Sequence, residues 1–330
     1  MLARCSELRI GSRPVGSTPM LVPAFSSKGF PELADTIRYA SEFVVGPVLV
    51  SAYDVHYGYV DPTPLSFASV IFLDSGGYEA SRDAEVLAFR NPDYPPNDWN
   101  REWLTDVWDG WPVSQDDPCA VFVSYDHPQV RQPIATQIET ALSTMGHRQD
   151  VLRELLLKPE TRGQQYVKVE SVLDNVGKLR DFDIVGITVK ELGNSILARM
   201  KSIAQLRDAM DNAGVTAPLH VFGSLDTLET PLYFVAGAEI FDGLTWLRYA
   251  YDDGRAVYIS HYGALKLGIH ERDKQVVARS LAANVSALEE LQIILRGFLV
   301  DRSFDRFGVA SAEFLRTAYD RFCSDTGRQP

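Results

Sequence analysis

Short apolar runs, rich in β-branched and aromatic side chains, stop abruptly on a carboxylate at three points along the chain. Ser69-Val70-Ile71-Phe72-Leu73 ends on Asp74-Ser75-Gly76-Gly77-Tyr78, Ala120-Val121-Phe122-Val123-Ser124-Tyr125 ends on Asp126-His127-Pro128, and Ala238-Glu239-Ile240-Phe241 ends on Asp242-Gly243. Unbroken apolarity over so short a length, closed by turn residues, predicts a buried strand running into a tight turn. Asp after a strand often caps the next helix. Three of them, so far apart in sequence, meet only if their strands are parallel and share one sheet or barrel, and they then point to a shared acidic pocket.

The remaining pattern supplies such a sheet. A helical segment from Pro31 to Phe43 precedes strand-like Pro47 to Ser51 and the strand ending at Asp74. In the second half, strand-like Glu154-Leu155-Leu156-Leu157-Lys158 is followed by helix Val167 to Leu179, strand Asp183 to Val189 and helix Ser195 to Ala213. Strand Leu219 to Phe222, helix Leu225 to Val235 and strand Glu239 to Phe241 complete the series. Strand and helix repeating at this spacing predict right-handed crossovers and parallel pairing. A (β/α)8 TIM barrel, an α/β fold, is the economical closure, with residues 1–330 as a single domain. A Pro- and Trp-rich interval at about 91–117 breaks the alternation and reads as an insertion holding a short helix from Trp99 to Trp108. The region at about 274–323 is helical, with Leu288, Leu291, Ile294 and Leu295 on one face, and forms a C-terminal extension.

Composition narrows the class. A content of 45% hydrophobic and 23% charged residues is that of a globular protein. No apolar stretch approaches the roughly 20 residues that cross a bilayer, and Met1-Leu2-Ala3-Arg4-Cys5 has no signal-peptide apolar core, so no membrane association and a cytoplasmic location are expected. Cys5, Cys119 and Cys323 are scattered and odd in number, which fits a reducing compartment and excludes both a disulfide scaffold and a cysteine-rich zinc site. A net charge of −12 repels polyanions overall, so any nucleic-acid partner has to be held by a local basic patch.

Asp74-Ser75-Gly76-Gly77-Tyr78 after a strand, with Gly237-Ala238-Glu239-Ile240-Phe241-Asp242 and Arg248 six residues on, resembles the tRNA-guanine transglycosylase family. Thr18-Pro19, Pro23-Ala24-Phe25 and His220-Val221-Phe222-Gly223 extend the likeness, which runs from about Thr18 to Phe322. The resemblance implies a barrel enzyme that exchanges a purine base, guanine for a 7-deazaguanine-type base, in a polynucleotide. Asp242 is then the nucleophile at the anomeric carbon, and Asp74 the general acid/base for the departing and incoming bases. Tyr78 stacks on the purine, Asp126 accepts hydrogen bonds from its amino and ring N–H edge, Ser75 bonds the base or Asp74, and Arg248 orients Asp242 or meets a phosphate. Gly76 and Gly77 give the turn its backbone freedom and let a flat ligand approach. Family members are often homodimers, so a homodimer is one expectation.

The chain also departs from the family. Tyr249 to Asp273 contains none of the cysteines of the family's zinc site, and His261 and His270 are isolated, so no metal and no cofactor are expected. Lys158-Pro159-Glu160 stands where the family has Gln-x-Gly, and Gly186-Ile187-Thr188 where it has Gly-Gly-Leu. Both changes fall in the base pocket, where Lys158, Gly186 and Thr188 are candidate substrate contacts. Lys158 has two readings, a contact to a ligand carbonyl or phosphate and an ion pair with Glu160 or Asp126. His56 reads as structural, and Trp99, Trp103, Trp108 and Trp111, at helical spacing, as core or interface. These departures keep DNA beside tRNA as the expected substrate. Two further classes stay open, a non-catalytic nucleic-acid-binding or partner subunit of such an enzyme, and an N-glycoside hydrolase acting on nucleosides.

Overall fold

A computed structural model of the protein describes residues 1–30, 32–81, 95–112, 118–126 and 129–329. Eight short strands lie parallel in one sheet: β1 (Met20–Pro23), β2 (Val48–Ser51), β3 (Val70–Asp74), β4 (Cys119–Val123), β5 (Leu152–Leu157), β6 (Ile184–Thr188), β7 (Leu219–Phe222) and β8 (Ile240–Gly243). Strands β2 to β8 pair in chain order, and β8 pairs with β1. Ala24 bridges to Leu49, and the Phe25 N–H donates to the Leu49 carbonyl at 2.9 Å, so β1 meets β2 and the sheet comes round on itself. This is the (β/α)8 barrel that the alternation predicts, followed by C-terminal helices.

The strands read as continuous apolar runs because both of their faces are covered. Along β3, Val70 and Phe72 join Met20, Val22, Val121, Leu156 and Ile240 in the barrel interior. The alternate residues Ile71 and Leu73 pack outward with Phe122, Leu155, Val185 and Phe241 in the layer beneath the helices. An N-terminal hairpin, Glu7–Ile10 with Arg13–Ser17, sets Leu8, Ile10 and Val15 against the interior cluster and closes the end where the strands begin. The strand-exit end stays available for a site.

Several expected helices differ in extent. The first runs from Leu33 to Ala40, with Pro31 outside the described residues. Val167 to Leu179 divides into a helix, Val169–Leu173, and a 3₁₀ turn, Val176–Asp181, because Asp174, Asn175 and Gly177 are poor helix formers and the Asn175 side chain bonds back to the Ser171 carbonyl. The helix expected from Leu225 begins only at Glu229, where Asp226 Oδ1 accepts from the N–H groups of Leu228 and Glu229. In the Trp-rich interval the helix is Arg101–Gly110, capped by Asn100, while residues 91–94 and 113–117 lie outside the described residues. Trp99, Trp108 and Trp111 are buried and Trp103 packs against them, so these rings belong to the core. The C-terminal region holds two helices, Asp273–Asp301 and Val309–Thr326, joined through a 3₁₀ turn at Phe304–Phe307. Asn284 ties the longer one to the barrel by donating to the carbonyls of Trp246 and Tyr249 and accepting from the Tyr251 N–H, each at 2.6 Å. Among the described residues no helix is long and apolar enough to cross a membrane.

Candidate active site

A cavity of about 320 Å³ opens at the strand-exit rim, and its wall includes Asp74, Tyr78, Asp126, Lys158, Asp242 and Arg248. Asp74 comes from the end of β3 and Asp242 from β8, with β1 and β2 between them in the sheet. Gly77 and Thr188 also line the cavity. The expected contacts Ser75, Gly76 and Gly186 are not among the residues that line it.

The turn after β3 is built around its neighbours. Gly76 has φ +85°, and a Cβ there would fall 2.7 Å from the Trp99 indole nitrogen and 2.8 Å from Tyr53 Cβ. Trp99 donates its indole N–H to the Ser75 carbonyl at 2.8 Å, so the Trp-rich interval props the turn from beneath. A Cβ on Gly77 would run into the Asp126 carboxylate, so the second glycine lets that carboxylate lie against the turn. The Ser75 hydroxyl donates to Asp126, not to Asp74. Lys28 donates to the carbonyls of Tyr78 at 2.9 Å and Ser81 at 2.8 Å, with its ammonium 4.6 Å from the Tyr78 ring centroid, and Arg248 donates to the Tyr78 hydroxyl at 3.0 Å. Tyr78 is thus held at ring, hydroxyl and backbone. His56 stacks on Trp103 at 4.9 Å, the structural placement expected for it.

Asp74 is buried, and that burial, with the nearby negative charges of Asp126, Glu79 and Asp242, raises its carboxyl well above the usual range. These surroundings favour its protonated form, with the Lys158 ammonium acting the other way. Asp126 differs. Burial pushes it up, but the Lys158 ammonium at 3.2 Å and the Ser75 hydroxyl outweigh this and hold its carboxyl below the ordinary value. Lys158 also pairs with Glu191 at 3.2 Å, Glu191 accepts from the Thr188 hydroxyl, and Arg131 lies 3.5 Å away on its other side. The cavity floor is thus a charge-balanced chain, Asp126, Lys158, Glu191 and Arg131. Glu160, the other partner expected for Lys158, instead accepts from the Ile134 N–H and the Ser171 hydroxyl.

Asp242 sits in a third kind of environment. Its Oδ1 accepts from the Gly223 N–H at 2.9 Å and lies 3.2 Å from His220 Nε2, whereas Oδ2 has no hydrogen-bond partner among the described residues. The opposite ring nitrogen, Nδ1, lies 2.8 Å from Glu154 Oε1. Phe222 stacks on the imidazole at 3.9 Å between centroids, and Phe72 meets it edge-on at 5.4 Å. Gly186 makes this cluster possible: a Cβ there would collide with the Phe222 ring and fall 2.7 Å from Glu154 Oε1. Gly186→Ala is therefore expected to destabilise the protein by about 2 kcal/mol through overpacking. Urea unfolding checks this, and an unchanged midpoint would remove the role given to Gly186.

Sequence reading missed Glu154, Glu191, Lys28, Arg131, Asp54 and Glu79. Glu154 carried a usable signal. It alternates with Leu152 and Leu156, which both face the barrel interior, and an acid in that register is rarely buried without a partner. Glu79 follows directly on the Asp74 turn and lines the cavity. His127 and Pro128, the tail of the Asp126 motif, lie outside the described residues.

The arrangement joins a buried carboxyl whose surroundings favour the proton, a second carboxyl group with one oxygen held by a backbone N–H, and a polar floor presenting acceptor and donor side by side. Such a divergence between two acids on one cavity suits acid/base chemistry paired with nucleophilic attack. Among the described residues no group of three or more His, Cys, Asp or Glu is arranged to hold a metal, and His261 and His270 are exposed. No protein-family model matches the chain, and no curated protein matches it.

Proposed function

We propose that the protein is a base-exchange transglycosylase that replaces a purine, guanine for a 7-deazaguanine-type base, in tRNA or DNA. The observation that carries this reading is the placement of Asp74 and Asp242 on one cavity in contrasting surroundings. Asp242 Oδ2 attacks C1′ while the C1′–N9 bond breaks with its electron pair passing to the base, and Asp74 gives its proton to the departing base. The incoming base then loses its N9 proton to the Asp74 carboxylate, N9 attacks C1′, and the C1′–Oδ2 bond breaks to restore the Asp242 carboxylate. Each residue ends as it began.

The surroundings support this assignment. A cavity of about 320 Å³ is of the size that takes a single heterocycle. Asp126 supplies the acceptor for the base's N–H edge, and Lys158 beside it supplies a donor for a ring carbonyl. Lys28, Arg131, Lys158, Lys190 and Arg248 line the cavity and match its five acids, Asp74, Glu79, Asp126, Glu191 and Asp242, so the cavity is locally balanced on a chain of net charge −12. That overall charge favours a second reading, an N-glycoside hydrolase on free nucleosides, in which water takes the place of the incoming base.

Incubation with radiolabelled guanine and either tRNA or duplex DNA, beside a parallel assay for base release from guanosine and deoxyguanosine, separates the readings. Label entering one polymer is the expected result. Release from nucleosides without incorporation would replace exchange by hydrolysis, and neither activity would leave the non-catalytic partner subunit.

A further inference from the structure

His220 and Glu154 lie inside the barrel and take no part in the two displacement steps as written. Both imidazole nitrogens face carboxylate oxygens, Nδ1 with Glu154 Oε1 at 2.8 Å and Nε2 with Asp242 Oδ1 at 3.2 Å. A carboxylate only accepts, and a neutral imidazole carries a single N–H. Two such contacts at once require a doubly protonated ring, or a proton on one of the acids. Glu154 and Asp242 are the charged groups that face His220 among the described residues, and the rings of Phe72 and Phe222 pack against it.

Resting on the transglycosylase reading, we infer that Glu154 and His220 are positioning residues for Asp242: Glu154 holds His220 as an imidazolium, which fixes Oδ1, leaves Oδ2 for the sugar, and stabilises the carboxylate as the sugar–Asp242 bond breaks. The second displacement gains most, because negative charge returns to Asp242 in that step and a fixed donor aimed at developing charge lowers its barrier. The first displacement gains orientation only. The titration of the ring agrees with this role. Burial disfavours the charged imidazole, but Glu154 and Asp242 outweigh it and raise its pKa to about 9. Burial also raises the Glu154 carboxyl, and the imidazolium pulls it part of the way back. Above about pH 9 the ring loses a proton, one of the two contacts is lost, and turnover falls.

Base exchange by the wild type and by His220→Gln and Glu154→Gln tests the inference. Each variant is expected to lose about 100-fold in kcat with KM for the polynucleotide and for the base little changed, to lack the alkaline limb, and to accumulate polynucleotide bound covalently to Asp242. Wild-type kcat and pH profile in both variants would overturn it. NMR of wild-type protein labelled at histidine nitrogen provides a readout that needs neither activity nor a stable variant. Two N–H signals from His220 at pH 7.5, titrating near pH 9, are expected, and a ring with one N–H at pH 7.5 would overturn the inference. Absence of exchange by the wild type would instead sink the transglycosylase reading, while the NMR result still decides the charge state of His220.

Discussion

Asparagine in place of Asp242 is expected to abolish base exchange, with a rate loss of about 10⁴-fold or more, because the amide cannot form the ester to the anomeric carbon. Its carbonyl oxygen can still accept from the Gly223 N–H, the backbone bond of 2.9 Å that fixes the carboxylate at the rim. The fold and the cavity are therefore retained, and loss of activity reports on chemistry. Mass spectrometry of enzyme mixed with polynucleotide, without added base, provides the direct measurement. Wild type should carry the polymer covalently, and Asp242→Asn should not. An adduct in the variant would place the nucleophile elsewhere.

Asp74→Asn separates the two carboxylates by role. It removes the proton that the departing base needs and the acceptor that the incoming base needs, so ordinary exchange stops. A target position carrying 7-methylguanine, whose base is cationic and leaves without protonation, bypasses the first need only. The variant should then form the Asp242 adduct and stall there. This dissociation of steps follows from the raised proton affinity of buried Asp74 and has no counterpart if Asp74 merely packs the turn.

The barrel is legible because its strands announce themselves. Val70 to Leu73, Ala120 to Val123 and Ile240 to Phe241 are apolar without alternation, since interior and helix layer both cover them. The carboxylates at the ends of these runs mark the rim. The Lys158–Asp126 pair was among the readings the sequence allowed, and it forms at 3.2 Å; most other partnerships among residues remote in sequence could not be read. Lys158 is drawn to Glu191 by the barrel's curvature, whereas its sequence neighbour Glu160 turns to the helix beginning at Ile134. Ser75 was placed correctly on the turn, but its hydroxyl goes to Asp126 because Gly77 leaves room for that carboxylate. Gly186 looked like a ligand contact, yet its missing side chain serves Phe222 and Glu154. The N-terminal hairpin escaped notice because Leu8, Ile10 and Val15 are too few apolar residues to register as strands until the open end of the barrel receives them.

The acids behind Asp74 give the protein an unusual dependence of stability on pH. Glu79 and Asp54 are buried, and each has one carboxyl oxygen with no hydrogen-bond partner among the described residues. Burial, reinforced by the charge of the other, raises Glu79 to about 7, while the hydrogen bond from the Ser26 hydroxyl restrains it. Burial likewise raises Asp54 to about 6 against the restraint of Ser27, whose N–H donates to Oδ2 at 2.9 Å. In the unfolded chain both acids ionise near pH 4. Between about pH 4 and 7 the native state therefore binds more protons than the unfolded state, so stability falls as pH rises through this window and levels off above it. Glu79→Gln keeps the shape and a polar partner for Ser26 but cannot ionise. It should be more stable than wild type at pH 8 by on the order of 3 kcal/mol, the linkage value for a shift of about two pKa units, and close to wild type at pH 4.5. Urea midpoints at the two pH values decide the matter. A variant less stable than wild type at pH 8 would mean that Glu79 is stabilised as a carboxylate, and that the negative charge raising Asp74's proton affinity includes a permanent contribution from its own turn.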